Sequence, residues 1–166
     1  MNRKLIMIWA VRVILIALIL CWMIIIFNFS AADGAESSSL SDKITIKVIR
    51  LMESDYAKMS EKSREQFFQT VSFVVRKTGH FGEYGILGAL WILLLLSFEK
   101  IRNIKKRIIW LTAMGICLVY AVSDEIHQGF VDGRTPKVLD VGIDTLGGLA
   151  GAGFILIIWL IVRRKK

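Results

Sequence analysis

The chain alternates long apolar runs with short charged breaks, and the runs set the expected architecture. About 20 helical residues cross a hydrocarbon core of roughly 30 Å. The first run, residues 5–29, is interrupted only by Arg12. The strictly uncharged parts of the next two, 84–98 and 108–122, are 15 residues each and too short to cross alone. To reach span length they must extend to about 79–98 and 108–127, which draws His80, Glu83, Asp124 and Glu125 to the membrane boundary. The fourth run, 138–162, carries Asp140 and Asp144 in its first two turns. The pattern predicts an all-α polytopic membrane protein with four transmembrane helices, organised as one membrane domain over residues 1–166.

Between spans one and two lies a polar segment of about fifty residues, 28–76, which opens on the serine run Ser37, Ser38 and Ser39 and reads there as a linker. Further on, Phe67, Phe68, Val71, Val74 and Val75 recur at helical spacing beside Arg64, Glu65 and Arg76, which predicts an amphipathic helix leading into span two. Ile44, Val48, Leu51 and Met52 suggest another. Ile44 to Val48 also alternates as a strand would, so helix and strand both stand for that element. The expectation is an external amphipathic helical segment over about 41–77 that lies on the membrane surface and covers the bundle.

Composition agrees with the pattern. Of 166 residues, 55% are hydrophobic and only one is proline, which excludes a disordered chain and argues against an ordinary soluble domain. The net charge of +8 invites a nucleic-acid reading, but that footprint needs a soluble basic face. Here the charge divides by topology. One side of the four spans holds 12 basic residues and one acid, Glu99, and the other holds 10 basic and 13 acidic. Short basic segments stay cytoplasmic, so both termini are expected inside, and no nucleic-acid partner is expected. The alternative for the first run is a signal peptide cleaved near Ala32 or Ala35, but its length exceeds the roughly 7–15 residues of a signal's apolar core. Cys21 and Cys117 lie in apolar runs, match no metal spacing and read as small hydrophobes.

The chemistry gathers where spans two, three and four meet the external surface. Lys77, His80, Glu83 and Tyr84 come there from span two; Asp124, Glu125, His127 and Gln128 from span three; Asp140 and Asp144 from span four. Within each span the residues fall three or four apart, on one helix face. The intervening loop carries Asp132-Gly133, Arg134 and Pro136 and places Arg134 over the same rim, as a ligand clamp or an internal salt bridge. Ionisable groups in a span suggest function when they face the bundle interior. Gly147 and Gly151 form a small-residue motif in span four, while Gly79, Gly82, Gly85 and Gly88 recur in span two. Tight packing of these two spans would bring Asp144 toward His80 and Glu83.

Several chemistries fit such a rim. A divalent metal held by histidine and carboxylate would activate water. A phosphate head group held by Lys77, Arg134 and His127 would be acted on by a histidine oriented by a carboxylate. A cation or proton relay fits less well, because no chain of polar residues continues across the bilayer. A purely structural reading has Lys77, Arg134 and Lys137 neutralising the acids while His80 and His127 hydrogen-bond between helices.

The blocks Arg76-Lys-Thr-Gly-His80-Phe-Gly-Glu83-Tyr84, Ser123-Asp-Glu-Ile-His-Gln-Gly-Phe130, Gly133-Arg134 and Asp140-Val-Gly-Ile-Asp144-Thr-Leu-Gly147 together resemble the VanZ-like family of bacterial integral membrane proteins. The chain departs from that pattern at Asp144, more often Asn, and at Asp132, often Pro. The resemblance implies a cell-envelope role associated with antibiotic resistance, specifically tolerance of the glycopeptide teicoplanin, in a multi-pass protein of the bacterial cytoplasmic membrane. Expected partners are the lipid bilayer and a lipid-linked envelope precursor or the lipoglycopeptide itself. The leading expectation is a rim that binds a lipid head group, drug or cation. Its alternative is a membrane-embedded hydrolase or phosphatase acting on a lipid-linked phosphate. In that enzyme His80, Glu83, Asp124 and His127 take the catalytic roles, Lys77, Tyr84, Gln128 and Arg134 hold substrate, and Glu125, Asp140 and Asp144 hold a divalent metal.

Overall fold

The computed structural model describes residues 3–31, 34–53 and 55–164. Six helices follow one another: α1 Arg3–Ala31, α2 Gly34–Met52, α3 Glu61–Ser97, α4 Glu99–Arg102, α5 Lys106–Gln128 and α6 Val138–Arg164, with a 3₁₀ turn at Tyr56–Lys58 before α3. Among the described residues there is no strand. Among the described residues four helices, α1, α3, α5 and α6, are long and apolar enough to cross a membrane. Ala32, a cleavage position in the alternative reading of the first run, and the terminal Lys165 and Lys166 lie outside the described residues.

In the segment after α1 one expectation changes and one open alternative resolves to helix. Ser37 to Ser39 belong to α2 rather than to a linker; serine is an ordinary helix residue once later turns are packed. The strand-like alternation at Ile44 to Val48 is also helical. Thr45 and Ile49, four residues apart, are the buried positions, while Ile44 and Ile46 stay exposed, so the packing follows a period near 3.6 and not 2. The helix expected to lead into span two is continuous with it. At 37 residues and a rise of about 1.5 Å each, α3 is roughly 55 Å long and overruns a hydrocarbon core. The side chain of Ser60 caps it by accepting from the Ser63 N–H at 3.3 Å. No proline interrupts it.

The most extensive helix pairing is α3 with α6, followed by α5 with α6; α1 packs on α3 and α5. Glycine explains the α3–α6 contact. A Cβ added to Gly88 would collide with the Gly148 carbonyl, one added to Gly147 with the Phe81 backbone, and one added to Gly151 with the Gly85 carbonyl. Backbone thus lies on backbone, as small-residue interfaces permit. Gly79 and Gly82 have no neighbour within 4 Å of such a Cβ and take no part. Around this seam pack Tyr84, Leu87, Cys117 and Ala121 on one side and Ile92, Ile109, Ala113 and Ala152 on the other.

Helix α1 has an almost wholly apolar surface and is tied down by polar contacts along its length. The Trp22 indole N–H donates to the Glu83 carbonyl at 2.8 Å, and the Tyr120 hydroxyl donates to the Met23 carbonyl at 2.7 Å. At the other end Arg12 donates to the Ser97 carbonyl at 2.9 Å and stacks 4.0 Å from the Phe98 ring. That carbonyl belongs to the last turn of α3, where a cation complements the helix dipole. The charge that interrupts the first apolar run is therefore a cap.

Candidate functional site at one end of the bundle

The polar windows of the three later helices meet at one end of the bundle. Lys77 on α3 forms an ion pair with Asp140 on α6, and one turn on, His80 Nδ1 lies 3.3 Å from Asp144 Oδ1. The second contact is within ion-pair distance but off the line of a well-formed hydrogen bond. The glycine seam sets this register, because it brings the first turns of α6 against the middle of α3. The Asp144 side chain is 1% exposed, whereas Lys77 and His80 retain 16% and 21%. Asp144 is thus the deepest of the four, and Lys77 and His80 keep part of their surface exposed.

A second cluster ties α5 to α1 and to the loop. Asp124 Oδ2 accepts from the Ser30 hydroxyl at 2.7 Å and from the Gln128 amide at 3.4 Å. That same amide donates to Ser30 Oγ at 3.2 Å. Arg134 donates to Gln128 Oε1 at 3.4 Å and to the Phe29 carbonyl at 2.7 Å. Gly133, at φ 72°, is the one described glycine in the left-handed region and gives the turn that sends Arg134 back over the bundle end. Glu83 and Tyr84 stand between the clusters. The Glu83 carboxylate is within electrostatic reach of His80, Asp144, Asp124 and Arg134, and Tyr84, fully buried, is within reach of Asp124 and Asp144.

Three predicted site residues take other positions. Glu125 accepts from the Lys137 backbone N–H, at the start of α6. This places a carboxylate at the positive end of a helix, where it acts as a cap. Asp140 is occupied by Lys77. His127 turns toward α1 and stacks on Phe27 with ring centroids 4.5 Å apart, so the two histidines do not face a common ligand. Among the described residues no three His, Cys, Asp or Glu side chains converge as a metal-ligand group. The proposed divalent ligand set is not assembled by this geometry.

Sequence reasoning overlooked the contribution of α1. Ser30 is buried and supplies the shortest hydrogen bond to Asp124; Phe29, Phe27 and Trp22 supply a carbonyl, a stacking face and an N–H donor. The available signal was the pair Asn28 and Ser30, polar positions at the end of an otherwise apolar run and level with the rim.

A family model described as VanZ/LLP1 matches residues 15–161, nearly the whole bundle and every residue of the site. No curated protein and no solved structure matches the chain.

Proposed function

The chain belongs to the VanZ/LLP1 family, and on that premise we propose that it is a bacterial cell-envelope membrane protein whose polar end binds the head group of a lipid-anchored molecule. Its four membrane-span helices make the bilayer its surroundings. The observation that carries the reading is the arrangement of charge at the rim. Lys77, ion-paired with Asp140, and His80, next to the more deeply buried Asp144, come to the same end of span-length helices, where His80 and Arg134 are both within electrostatic reach of Glu83. Such groups suit a phosphate or pyrophosphate presented at membrane level. An envelope precursor or an acylated glycopeptide offers both a membrane anchor and polar groups, and teicoplanin tolerance is the phenotype this binding would affect. The orientation expected from the basic flanks, with both termini cytoplasmic, turns the site toward the outer leaflet.

A second reading is favoured by one contact. His80 Nδ1 lies 3.3 Å from the buried Asp144 carboxylate, near enough for the acid to orient the ring as a general base once the contact tightens around a substrate, which supports a hydrolase acting on a lipid-linked phosphate. Purified protein in nanodiscs would be tested for binding of polyprenyl pyrophosphate and for phosphate release, alongside Lys77→Met and His80→Gln. Binding without turnover that weakens about tenfold or more in both variants supports the head-group reading. Turnover lost in His80→Gln supports the hydrolase. Neither binding nor turnover would overturn both.

A further inference from the structure

The end of the bundle away from the rim carries a second, cationic cluster that neither reading of the rim uses. It forms where α5 begins and α6 ends. On α5 Lys106 and Trp110 lie one turn apart, and so do Trp159 and Arg163 on α6. The Trp110 indole N–H donates to the Leu149 carbonyl at 2.9 Å, which pins α5 to α6. Trp110 and Trp159 pack against the same buried cluster, which includes Ile109, Ala113 and Leu156. Each helix thus carries a cation one turn beyond a packed tryptophan, and the two cations meet on one ring. Lys106 Nζ lies 5.2 Å and the Arg163 guanidinium carbon 4.7 Å from the Trp159 ring centre. These distances hold the two charges within about 10 Å of each other, where salt screens them only in part.

Neither charge is neutralised. Lys106 donates to the Arg102 and Ile104 carbonyls, which are uncharged, and keeps one of its three N–H groups. Among the described residues no carboxylate lies within ion-pair distance of Lys106 or Arg163; the one acid at this end, Glu99, is 3.8 Å from Arg102 and 81% exposed. An anion beside the ring would accept charge-assisted hydrogen bonds from both cations. The surroundings indicate which anion. Trp159 closes a run whose side chains Phe154, Ile157, Ile158 and Ile161 are exposed and apolar, and an aromatic ring at the end of such a run lies at head-group level. A soluble anion gains nothing from that surface, whereas the acyl chains of a phospholipid cover it. A zwitterionic lipid would bring its own cation beside Lys106 and Arg163, so a net negative head group fits better. Orienting the spans requires a basic surplus at this end, but it does not require two helices to place their cations on one indole.

We infer that Lys106, Trp159 and Arg163 form a binding site for the phosphate of a net-anionic phospholipid, at the end of the bundle opposite the rim. Lys106 and Arg163 donate to the phosphate oxygens, and the indole holds both cations in place. The site does not depend on which head group, if any, binds at the rim.

The test is thermal unfolding of the purified full chain in neutral detergent, titrated with phosphatidylglycerol, phosphatidylcholine or sodium phosphate, with native mass spectrometry counting the lipid retained. A Tm that rises saturably with phosphatidylglycerol alone, and about one retained lipid per chain, are expected. Arg163→Gln, and Trp159→Leu with both cations kept, should each weaken that binding about tenfold. Lys100→Gln removes the same charge from a position off the ring and should weaken it about twofold or less. Equal responses to phosphatidylglycerol and phosphatidylcholine overturn the site. Equal losses in Lys100→Gln and Arg163→Gln overturn it as well, since only the general attraction of a basic surface would then remain. Sodium phosphate that matches phosphatidylglycerol overturns the lipid and leaves a site for a free anion. Arg163 is exposed, so its replacement decides the matter even if Trp159→Leu fails to fold. Binding of polyprenyl pyrophosphate that is sensitive to Lys77→Met should be unchanged in Arg163→Gln, which tests the head-group reading separately.

Discussion

Two glycines in the same three-residue recurrence of α3 should respond oppositely to the same change from one facing across the seam. Replacing Gly151 with alanine puts a Cβ against the Gly85 carbonyl, 2.6 Å from its carbon and 2.9 Å from the Gly85 Cα. These are backbone atoms, so no rotamer change relieves the clash, and the helices must separate. Overpacking of this kind costs about 1–3 kcal/mol, against which alanine regains only about 0.5–1 kcal/mol of helix propensity. Gly151→Ala should therefore lose about 1–2 kcal/mol. Gly79→Ala and Gly82→Ala, with nothing within 4 Å of the new methyl, should be neutral or gain about 0.5–1 kcal/mol. Reversible unfolding in mixed micelles, titrated with a denaturing detergent, measures each difference. Because Gly151 lies on the same seam that sets His80 against Asp144, head-group binding should fall in that variant and remain in Gly79→Ala. Shifts of equal sign and size in Gly79→Ala and Gly151→Ala would refute the backbone-on-backbone packing.

Removing one partner of the Lys77–Asp140 pair, as in Lys77→Met, should cost about 3–5 kcal/mol, and Lys77→Met with Asp140→Leu should recover most of it; the same unfolding titration reads both. Ser30→Ala removes the 2.7 Å donor from Asp124 and should cost about 1–3 kcal/mol, with Ser30→Thr closer to wild type. Arg12→Leu should lower stability by about 1–2 kcal/mol through the freed Ser97 carbonyl, an effect that Arg12→Lys should partly restore. A phosphatase or fluorescent-protein reporter fused after residue 166 should report a cytoplasmic C-terminus; an extracytoplasmic signal would reverse the proposed orientation and place the site on the inner leaflet.

How much of this was legible from sequence follows from which interactions are local. The four spans were, because each depends on its own run of apolar residues; the ends of three lie within two positions of expectation, while the helix of the second begins at Glu61 instead of near residue 79. The fusion of the amphipathic helix with span two was not, because Gly79 marks a possible break that nothing around it requires. In α2 the isoleucines at 44 and 46 imitated a strand. Only the burial of Thr45 and Ile49 against the bundle reveals the helical period. The three windows of titratable residues were legible for the same local reason: carboxylates and histidines three or four positions apart on apolar helices stand out. Their pairings were not. Whether Lys77 meets Asp140 or Asp144 depends on the axial register of α3 against α6, and a shift of one turn would exchange them.

That register was half-written in the glycines. The motif at Gly147 and Gly151 named the close face of α6, but four candidates competed on α3, and only Gly85 and Gly88 meet it. With Gly151 over Gly85 and Gly147 over Phe81, the α6 residues one turn earlier must fall beside His80, and those one turn earlier again beside Lys77. The site is a consequence of the seam. What no pattern on the later helices foretells is Ser30, since a serine closing an apolar run could equally face lipid headgroups. Its hydroxyl matters because it supplies the shorter of the two hydrogen bonds to Asp124 Oδ2, the other coming from Gln128. The residue least visible in the sequence thus holds a buried acid of the site. A Ser30→Ala variant should accordingly loosen the fold through Asp124, whereas Lys77→Met should loosen the fold and weaken head-group binding together.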